Sequence, residues 1–385
     1  MTASPTDTDE IFRPLSPEML ADPYPVYARL RATDPVHWHE QLQSWVLTGH
    51  DDCSRVLREP TVFGSDPRRL GLPIPDSVIS LQTMDAPEHP EVRHHFVRAL
   101  RGQDLDRWAA EVRATTDELL RRAAGGPFDF VADIAEPLAL HAMCLLCEVP
   151  YPDDDRPLRG ASRTMVLGMD SGLDPQRREP ALAAREVLND IVARWVSTAR
   201  TGLFAGFAEI GSIDRRHLVN SAKAVFDAGY SSTSNMLGNV VHRLVRRQPL
   251  ETERLRGLGT DGVAELGRLD PVVQAVSRFC LADVELGGRP LRRGDVVIAM
   301  LGAANHDPAV FPNPDEPDLT RPAGPNLLYG RGAHSCLGGH LANRIGVALL
   351  HAMADAFDRI EPAGAARQRP TATQRGLDEL PLRAS

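Results

Sequence analysis

The stretch Leu328-Tyr-Gly-Arg-Gly-Ala-His-Ser-Cys-Leu-Gly-Gly-His-Leu-Ala342 places one cysteine, Cys336, between a glycine-punctuated loop and an apolar segment. From Leu337 onward the apolar residues recur at helical spacing. A thiol at a helix N-terminus lies near unpaired N–H groups and the positive end of the macrodipole, which favours its thiolate as a metal ligand. Gly330 and Gly332 allow the backbone to fold tightly beneath a flat ligand.

This loop resembles the heme-binding loop of the cytochrome P-450 superfamily, whose pattern is an aromatic residue, Gly, x, Gly, x, His, x, Cys, x, Gly. The matching residues are Tyr329, Gly330, Gly332, His334, Cys336 and Gly338, with Tyr in place of the usual Phe. The alternative is a buried structural cysteine before a helix, which would not require so many fixed positions in order. The resemblance implies a heme b whose iron is bound by the Cys336 thiolate, a ligand that favours O–O cleavage.

The length and composition of the chain agree with a large globular body. Its 385 residues are 42% hydrophobic, which is enough to bury a sizeable core. The resemblance implies a mainly α, single-domain cytochrome P-450 fold with small β-sheets over residues 23–385. Residues 1–22 are polar and contain prolines, and we expect them to form a flexible arm.

Charge and hydropathy exclude several classes of function. With 43 basic and 52 acidic residues the net charge is −9, which argues against nucleic-acid binding. No stretch approaches the roughly 20 apolar residues of a membrane span, and the N-terminus is not signal-like. We therefore expect a soluble cytoplasmic protein without a membrane partner. Cys144 and Cys147 form a CxxC within an apolar run, and we interpret them as buried helix residues.

The apolar periodicity predicts a helix-dominated body. The predicted helices cover Tyr24–Thr33, 50–58, 93–100, 104–122, 132–147, 153–169, 180–200, 214–247 and 263–269. The predicted strands cover 36–39, 45–48, 272–280, 284–286 and 296–300.

Several basic residues are candidates for contact with the heme carboxylates. His89 and Arg93 are spaced i, i+4 and share a helix face, so that both can hold one anion. They match the family's His-x-x-x-Arg, and the resemblance implies the same role for Arg278 and His334. Two buried heme carboxylates require fixed cations of this kind, because burying them unpaired is costly.

A second family motif lies upstream of the cysteine loop. Glu265 and Arg268 are spaced i, i+3, share a helix face and can form a charge-assisted pair. Such a pair arises by chance on many surface helices. Its placement nevertheless matches the structural Glu-x-x-Arg of the family.

The oxygen-activating segment departs from the family pattern. Ala228-Gly-Tyr-Ser-Ser-Thr233 aligns with Ala-Gly-x-acid-Thr-Thr, which places Ser231 at the usual acid and Ser232 at the usual catalytic Thr. The Ser232 hydroxyl can still bond the carbonyl of Ala228 one turn back, and we expect this bond to open the helix and leave room for water. The proton-relaying carboxylate is lost, which makes ordinary hydroxylation less efficient.

Asp227 is the nearest acid, one turn before Ser231 on the same helical face. We expect it to face the distal pocket, where it either binds a cationic or N–H-bearing substrate group or replaces the missing acid. Pairing with a nearby cation such as Lys223 is the alternative. The resemblance also places Ala224, Ala228, Gln274 and Val276 in the substrate pocket.

The sequence therefore predicts a bacterial-type heme-thiolate monooxygenase that oxidises a small organic substrate, such as a specialised metabolite. A separate ferredoxin or flavodoxin would supply electrons, docking near Arg98, Arg101, Arg331 and Arg344. The alternatives are a cross-linking, desaturating or peroxide-using enzyme and, from another class, a non-catalytic heme-binding sensor or docking protein.

Overall fold

A computed structural model describes residues 12–207, 210–322 and 324–385, and the mainly α fold with small β-sheets is confirmed. The helices are α1 (Pro17–Ala21), α2 (Tyr24–Thr33), α3 (His50–Arg58), α4 (Glu88–Arg101), α5 (Leu105–Ala123), α6 (Glu136–Cys147), α7 (Arg156–Gly168), α8 (Arg178–Thr198), α9 (Arg215–Val245), α10 (Thr260–Leu269), α11 (Leu301–Ala304) and α12 (Gly339–Ala356).

The strands form small sheets at the periphery of the helical body. They are β1 (Val36–His39), β2 (Ser44–Leu47), β3 (Phe63–Gly64), β4 (Pro127–Asp129), β5 (Leu250–Glu251), β6 (Val276–Cys280), β7 (Val284–Leu286), β8 (Arg289–Leu291), β9 (Val296–Ala299), β10 (Arg359–Pro362), β11 (Arg367–Gln368), β12 (Leu377–Glu379) and β13 (Pro381–Ala384). The largest sheet has the order β1-β2-β9-β6-β3, with β2 and β9 parallel and its other pairs antiparallel. A second sheet has the order β4-β13-β10-β5, and β7-β8 and β11-β12 are two-stranded.

Local signals in the sequence explain where two of the longer helices begin. Asp104 caps α5 by accepting the N–H of Arg107 at 3.0 Å, and Asp214 caps α9 by accepting that of Arg216 at 2.8 Å. Several boundaries differ from the prediction: the strand predicted over 272–280 begins at Val276, and the helix predicted from 132 is not α-helical at its start. The segment 131–135 is a π-helical turn that leads into α6, so that α6 itself begins at Glu136.

The N-terminal region differs from the flexible arm that we expected. Residues 1–11 lie outside the described residues. From residue 12 the chain packs against the body, because Phe12 and Met19 are 2% and 4% exposed and share an apolar cluster with Tyr27 and Leu30. Two apolar side chains in a polar segment therefore attach it to the domain.

The long helix α9 passes through the centre of the core and carries the segment that is predicted to activate oxygen. It packs against α6, α8 and α10, and most of its side chains are buried on every face. The neighbouring α6 carries Cys144 and Cys147, whose thiol pKa values burial raises. These two cysteines are core residues, as the sequence predicts.

Helix α12 follows the cysteine loop and forms the other side of the predicted heme site. This helix packs against α5 and α10, and the loop before it runs back against the end of α3. The C-terminal apolar face of α12, including Leu349, Leu350 and Met353, is buried in the main core. The cysteine loop is thereby held between two fixed helices.

Candidate active site

The loop before α12 is held by backbone bonds that place Cys336 at its end. Gly330 N–H donates to Leu327 O at 3.0 Å, and Cys336 N–H donates to Tyr329 O at 2.8 Å. Gly330 and Gly332 have φ values of 61° and 73°, in the left-handed region that glycine tolerates. A Cβ at Gly332 would also lie 2.1 Å from the carbonyl oxygen of Leu57. The glycine spacing is therefore required by the shape of the loop.

Cys336 differs from the other four cysteines because its side chain is exposed while they are buried. It nevertheless lies in a crowded recess, since burial raises the pKa of its thiol. The backbone N–H groups of Gly338 and Gly339 and the Arg93 guanidinium oppose that rise without overcoming it. The helix start alone therefore does not produce the thiolate that we expected. A metal cation would, because a coordinating thiol is deprotonated.

Tyr329 occupies the position of the usual Phe and uses its additional hydroxyl. The hydroxyl donates to Oδ1 of Asn343 on α12, and it lies 3.8 Å from the sulfur of Met236 on α9. Tyr329 thus connects the cysteine loop to both helices that enclose the site.

Two guanidinium groups near the cysteine have no carboxylate partner among the described residues. Arg93 Nη2 donates to Ser335 Oγ at 3.2 Å, and Arg278 Nη1 donates to Ser277 O at 2.7 Å. Burial lowers the pKa of both. Both side chains are half-buried, and cations that are partly removed from water without counter-ions are costly, so this arrangement fits a ligand that brings carboxylates.

The two histidines predicted for the same role lie together. The rings of His89 and His334 are 4.2 Å apart between centroids. His89 is 3% exposed, and its Nε2 has no hydrogen-bond partner within the described part of the chain. Burial, reinforced by the positive charges of His334 and Arg93, lowers the pKa of His89 to about 4. His89 is thus a neutral hydrogen-bonding group at neutral pH.

Asp85 is a member of this cluster that the sequence analysis missed. Its carboxylate accepts the N–H groups of Ser65 and Asp66 at 3.0 and 3.2 Å and lies 3.4 Å from Nε2 of His334. Burial alone would raise the pKa of Asp85, but bonds from His334, the Asp66 N–H and Arg69 hold it below its usual range. Its position one turn before His89 was the available signal.

The donor set around Cys336 fits a heme. A thiol at the end of the loop can supply an axial ligand, and Arg93 and Arg278 can pair with two propionates. The orphaned Nε2 of His89 supplies a further hydrogen-bonding group. These residues come from α4, β6 and the cysteine loop and meet on one side of the recess.

Helix α9 carries Ser231 and Ser232, the two serines of the segment that departs from the family pattern. Ser232 Oγ donates to Ala228 O at 2.6 Å, and Ser231 is 6% exposed. Helix α9 remains continuous through this bond, although we expected the bond to open it. The alcohol is therefore in place without a break in the helix.

Asp227 is buried between α9 and the two helices α7 and α8. It is 6% exposed, accepts a hydrogen bond from Ser162, and lies near Lys223 and Arg185, although no ion pair with Asp227 forms among the residues that the structure describes. Burial raises the pKa of Asp227. The carboxylate thus has two cationic neighbours, which the sequence could not identify together.

The residues predicted for the substrate pocket fall into two groups. Gln274 and Val276 line a cavity of about 220 Å³ together with Met169, Leu173 and Thr373. Ala224 and Ala228 belong to α9 and do not line that cavity. Gln274 is itself held in place, because Nε2 donates to Pro271 O at 2.6 Å and Oε1 accepts from the Tyr27 hydroxyl at 3.3 Å.

Glu265 and Arg268 form a fully buried bidentate pair on α10. Nε and Nη2 of Arg268 lie 2.7 and 2.8 Å from the two carboxylate oxygens. Nη1 donates to the carbonyls of Asn305 and Pro314 at 2.6 and 2.8 Å, and the guanidinium stacks over the Phe311 ring. The pair therefore attaches α10 to the segment that leads to the cysteine loop.

Comparisons with known proteins agree with this geometry. The family model described as cytochrome P-450 matches residues 261–376. The chain is 30% identical to the cytochrome P-450 monooxygenase PikC of Streptomyces venezuelae, covering 99% of this chain and 95% of that protein. It is 30% identical to the mycinamicin IV hydroxylase/epoxidase of Micromonospora griseorubida, covering 82% and 83%.

A solved structure shows the same fold. The complex of CYP109E1 from Bacillus megaterium with testosterone superposes with a TM-score of 0.86 at 25% identity, covering 96% of this chain and 100% of that one. Among the described residues, none of the helices has the length and apolar character needed to cross a membrane.

Proposed function

Because this chain belongs to the cytochrome P-450 family, a heme-containing family of monooxygenase-type oxidoreductases, we propose that Cys336 is the thiolate ligand to the heme iron of an enzyme that oxidises a small organic substrate. The observation that carries the proposal is the accessible thiol of Cys336 in one cluster with two half-buried guanidinium groups, those of Arg93 and Arg278, which have no carboxylate partner among the described residues. The heme supplies thiolate-assisted cleavage of the O–O bond when bound. The relatives are named as enzymes, which sets aside a non-catalytic sensor.

The proximal residues hold the cofactor. We assign Arg93 and Arg278 to its two carboxylates, with His89 as a neutral donor and His334 oriented by Asp85. Tyr329 and Gly330 shape the loop beneath it. Loss of heme from variants at these positions tests the assignment independently of any substrate.

The polar residues of α9, Ser232 and Asp227, transfer protons in this proposal. The Ser232 hydroxyl is already committed to the Ala228 carbonyl, so it can pass on a proton only by accepting another from a neighbour. Asp227 is the nearest buried acid along the same face of α9, and its raised pKa makes its carboxylate take up a proton more readily than an ordinary carboxylate, so that it can receive a proton and pass it on. We assign to Asp227 the part of the acid that Ser231 lacks.

The substrate class and the redox partner complete the proposal. A specialised metabolite is supported by relatives named for PikC and for a mycinamicin hydroxylase. A separate ferredoxin or flavodoxin is supported by exposed arginines: Arg98 and Arg101 end α4 on the surface, and Arg344 lies nearby, paired with Asp106 at 3.1 Å.

A second candidate reaction is coupling, desaturation or peroxide use. It is favoured by one observation, the serine at position 231 where a proton-relaying acid is usual. Product formed per NADPH consumed separates the candidates, using a reconstituted ferredoxin system and a peroxide-only control. Turnover that requires reductant and O2 and places one oxygen atom from O2 in the product supports the monooxygenase. Turnover that requires both but leaves no new oxygen in the product supports coupling or desaturation, and turnover with peroxide alone at an equal rate supports peroxide use.

A further inference from the structure

Lys223 is the only lysine in the chain, since arginine supplies all the other cationic side chains apart from histidine. It lies on α9, and 1% of its surface is exposed. No hydrogen-bond acceptor reaches its Nζ in the part of the chain that the structure describes. A solitary lysine is thus placed where a charge is most expensive to bury.

Two groups that act on Lys223 come from α8 and α9 and are themselves incompletely bonded. Asp227 lies one turn further along α9, and Arg185 lies on α8. Asp227 Oδ1 and Arg185 Nε are buried and have no hydrogen-bond partner among the described residues. Both donors and acceptors are therefore left unpaired at one point between α8 and α9, and native proteins rarely leave such groups unpaired.

Lysine differs from arginine at such a position because it can lose its proton. Burial, reinforced by the positive charge of Arg185, lowers the pKa of Lys223 to about 7, and Asp227 and Glu186 oppose that shift. No titratable group of α7 contributes to the shift in the pKa of Lys223. The polar side chain that α7 brings to this point is Ser162, which is hydrogen-bonded to Asp227. With Lys223 neutral, Arg185 and Asp227 balance each other, and the site as a whole carries no charge.

We propose that Lys223 recognises a carboxylate group of the substrate, and that one proton is taken up when this group binds. Binding one anion together with one proton leaves the net charge of the site unchanged. The ammonium group that forms on Lys223 then gains the hydrogen-bond acceptor that its Nζ lacks. The proposal rests on the proposed function, and it replaces the cationic substrate group that we expected at Asp227. A cationic group would meet both Arg185 and Lys223 beside that carboxylate.

The position of Lys223 also limits the shape of the substrate. Lys223, Asp227 and Ser231 follow one another at intervals of one turn along α9. Eight residues at 1.5 Å per residue separate Lys223 from Ser231 by about 12 Å along the helix axis. The carbon that is oxidised should therefore lie on the order of 10 Å from the carboxylate.

One labelled atom suffices to test the proposal. Biosynthetic labelling with lysine carrying ¹³C at Cε gives a single protein resonance, whose shift reports the protonation of Lys223 in the ferrous–CO holoenzyme. Straight-chain acids from octanoate to dodecanoate are the probes, with their methyl esters and the matching alkylamines as controls. We expect the acids to shift the titration midpoint of this resonance upward by at least one pH unit and the controls to leave it unchanged.

Variants separate recognition from packing. Lys223→Met should abolish the preference for acids over methyl esters, at least tenfold in dissociation constant, and Arg194→Gln on the exposed face of α8 should not. In the wild type, the affinity for the acids should fall as the pH rises from 6.5 to 8.5, whereas the affinity for the esters should not. If Lys223→Met does not fold, the response of the Lys223 Cε resonance in the wild-type protein still tests whether the carboxylate binds there.

A Cε resonance that responds to none of the acids, or equally to acids and esters, would overturn the proposal. That outcome is distinguishable from failure of the proposed function, because the latter appears as a missing red-shifted Soret band in the wild-type ferrous–CO complex. A normal band with an unresponsive Lys223 would leave the enzyme assignment intact and remove only the carboxylate.

Discussion

The imidazole rings of His89 and His334 lie 4.2 Å apart, and of the two only His334 lies within ion-pair distance of a carboxylate among the described residues, that of Asp85 at 3.4 Å. His89 is therefore left as a neutral, buried donor beside the guanidinium of Arg93. This relationship divides the four basic residues into two cations without counter-ions and two imidazoles with separate roles. It also makes their contributions to heme binding separately measurable.

Removing either unpaired guanidinium should weaken heme binding. Arg93→Ala and Arg278→Ala each remove a charge-assisted bond of roughly 1.5–3 kcal/mol, which corresponds to a tenfold or larger rise in the heme dissociation rate. Transfer of heme to an excess of apomyoglobin measures that rate. Arg98→Ala, on the exposed end of the same helix as Arg93, is the matched control and should behave as wild type. Unchanged rates in both test variants would refute the assignment.

The distal assignment predicts a specific defect for Asp227→Asn. The variant keeps the shape of the side chain but cannot donate the proton, so bound substrate should be retained while more NADPH is lost as peroxide. Peroxide formed per NADPH consumed is the measurement, with the substrate dissociation constant alongside. Weaker binding with intact coupling would instead identify Asp227 as a recognition residue.

The converse experiment restores the usual motif. Ser231→Asp combined with Ser232→Thr should raise the product formed per NADPH if hydroxylation is the native reaction. Loss of the native product in a folded double variant would show that the serines serve a different reaction. The ferrous–CO spectrum of the same sample confirms that heme binding is intact.

The sequence predicted the parts of this site that depend on local spacing. The cysteine loop follows from fixed positions, and the Glu265–Arg268 pair follows from i, i+3 spacing on one helix. The carbonyl partners of Arg268 at Asn305 and Pro314 could not be predicted, because loop folding brings them together.

The same limit applies to the groups that the sequence analysis missed. Spacing placed Asp227 on one row of α9 but could not reveal that Arg185 of α8 lies beside it. Asp85 was overlooked because its partners Ser65 and Asp66 are distant in sequence. Lys223 could have been singled out by composition alone, as a solitary lysine on an apolar helix.

The buried Glu265–Arg268 pair should dominate local stability. Glu265→Gln leaves the Arg268 charge uncompensated and should cost about 3–5 kcal/mol in the free energy of unfolding. Arg247→Ala, which removes an exposed pair with Glu316, should cost no more than about 1 kcal/mol. Urea unfolding followed by tryptophan fluorescence compares them, and equal costs would contradict the structural role.

This pair also has a defined pH dependence. Burial would raise the pKa of Glu265, but hydrogen bonds from Arg268 and the Asp318 N–H lower it below its unfolded value. The stabilisation is therefore fully present above the unfolded pKa of about 4.3 and is lost as the pH falls through the lower folded value. The difference between wild type and Glu265→Gln should shrink on acidification across that window.

Lys223 should impose a trend of the same sign at alkaline pH, because its folded pKa is also lower than its unfolded pKa. Its folded pKa of about 7 lies below the unfolded value of about 10.4, so the unfolded chain binds the extra proton between these values. Its contribution to stability therefore rises with pH across this window, by at most about 1.4 kcal/mol per pH unit. The free energy of unfolding of Lys223→Met is subtracted from that of the wild type at each pH. The difference isolates the slope due to Lys223, because the buried thiols and phenols that also titrate at alkaline pH are the same in both proteins. A flat difference would contradict the depressed pKa.

The central assignment is the Cys336 thiolate, and the most direct measurement is the absorption spectrum of the ferrous–CO complex. The wild-type protein should show the red-shifted Soret band that a thiolate ligand produces. Cys336→Ser should lack that band, while Cys144→Ser, at a buried core cysteine on α6, should keep it. A red-shifted band that survives in Cys336→Ser would contradict the assignment.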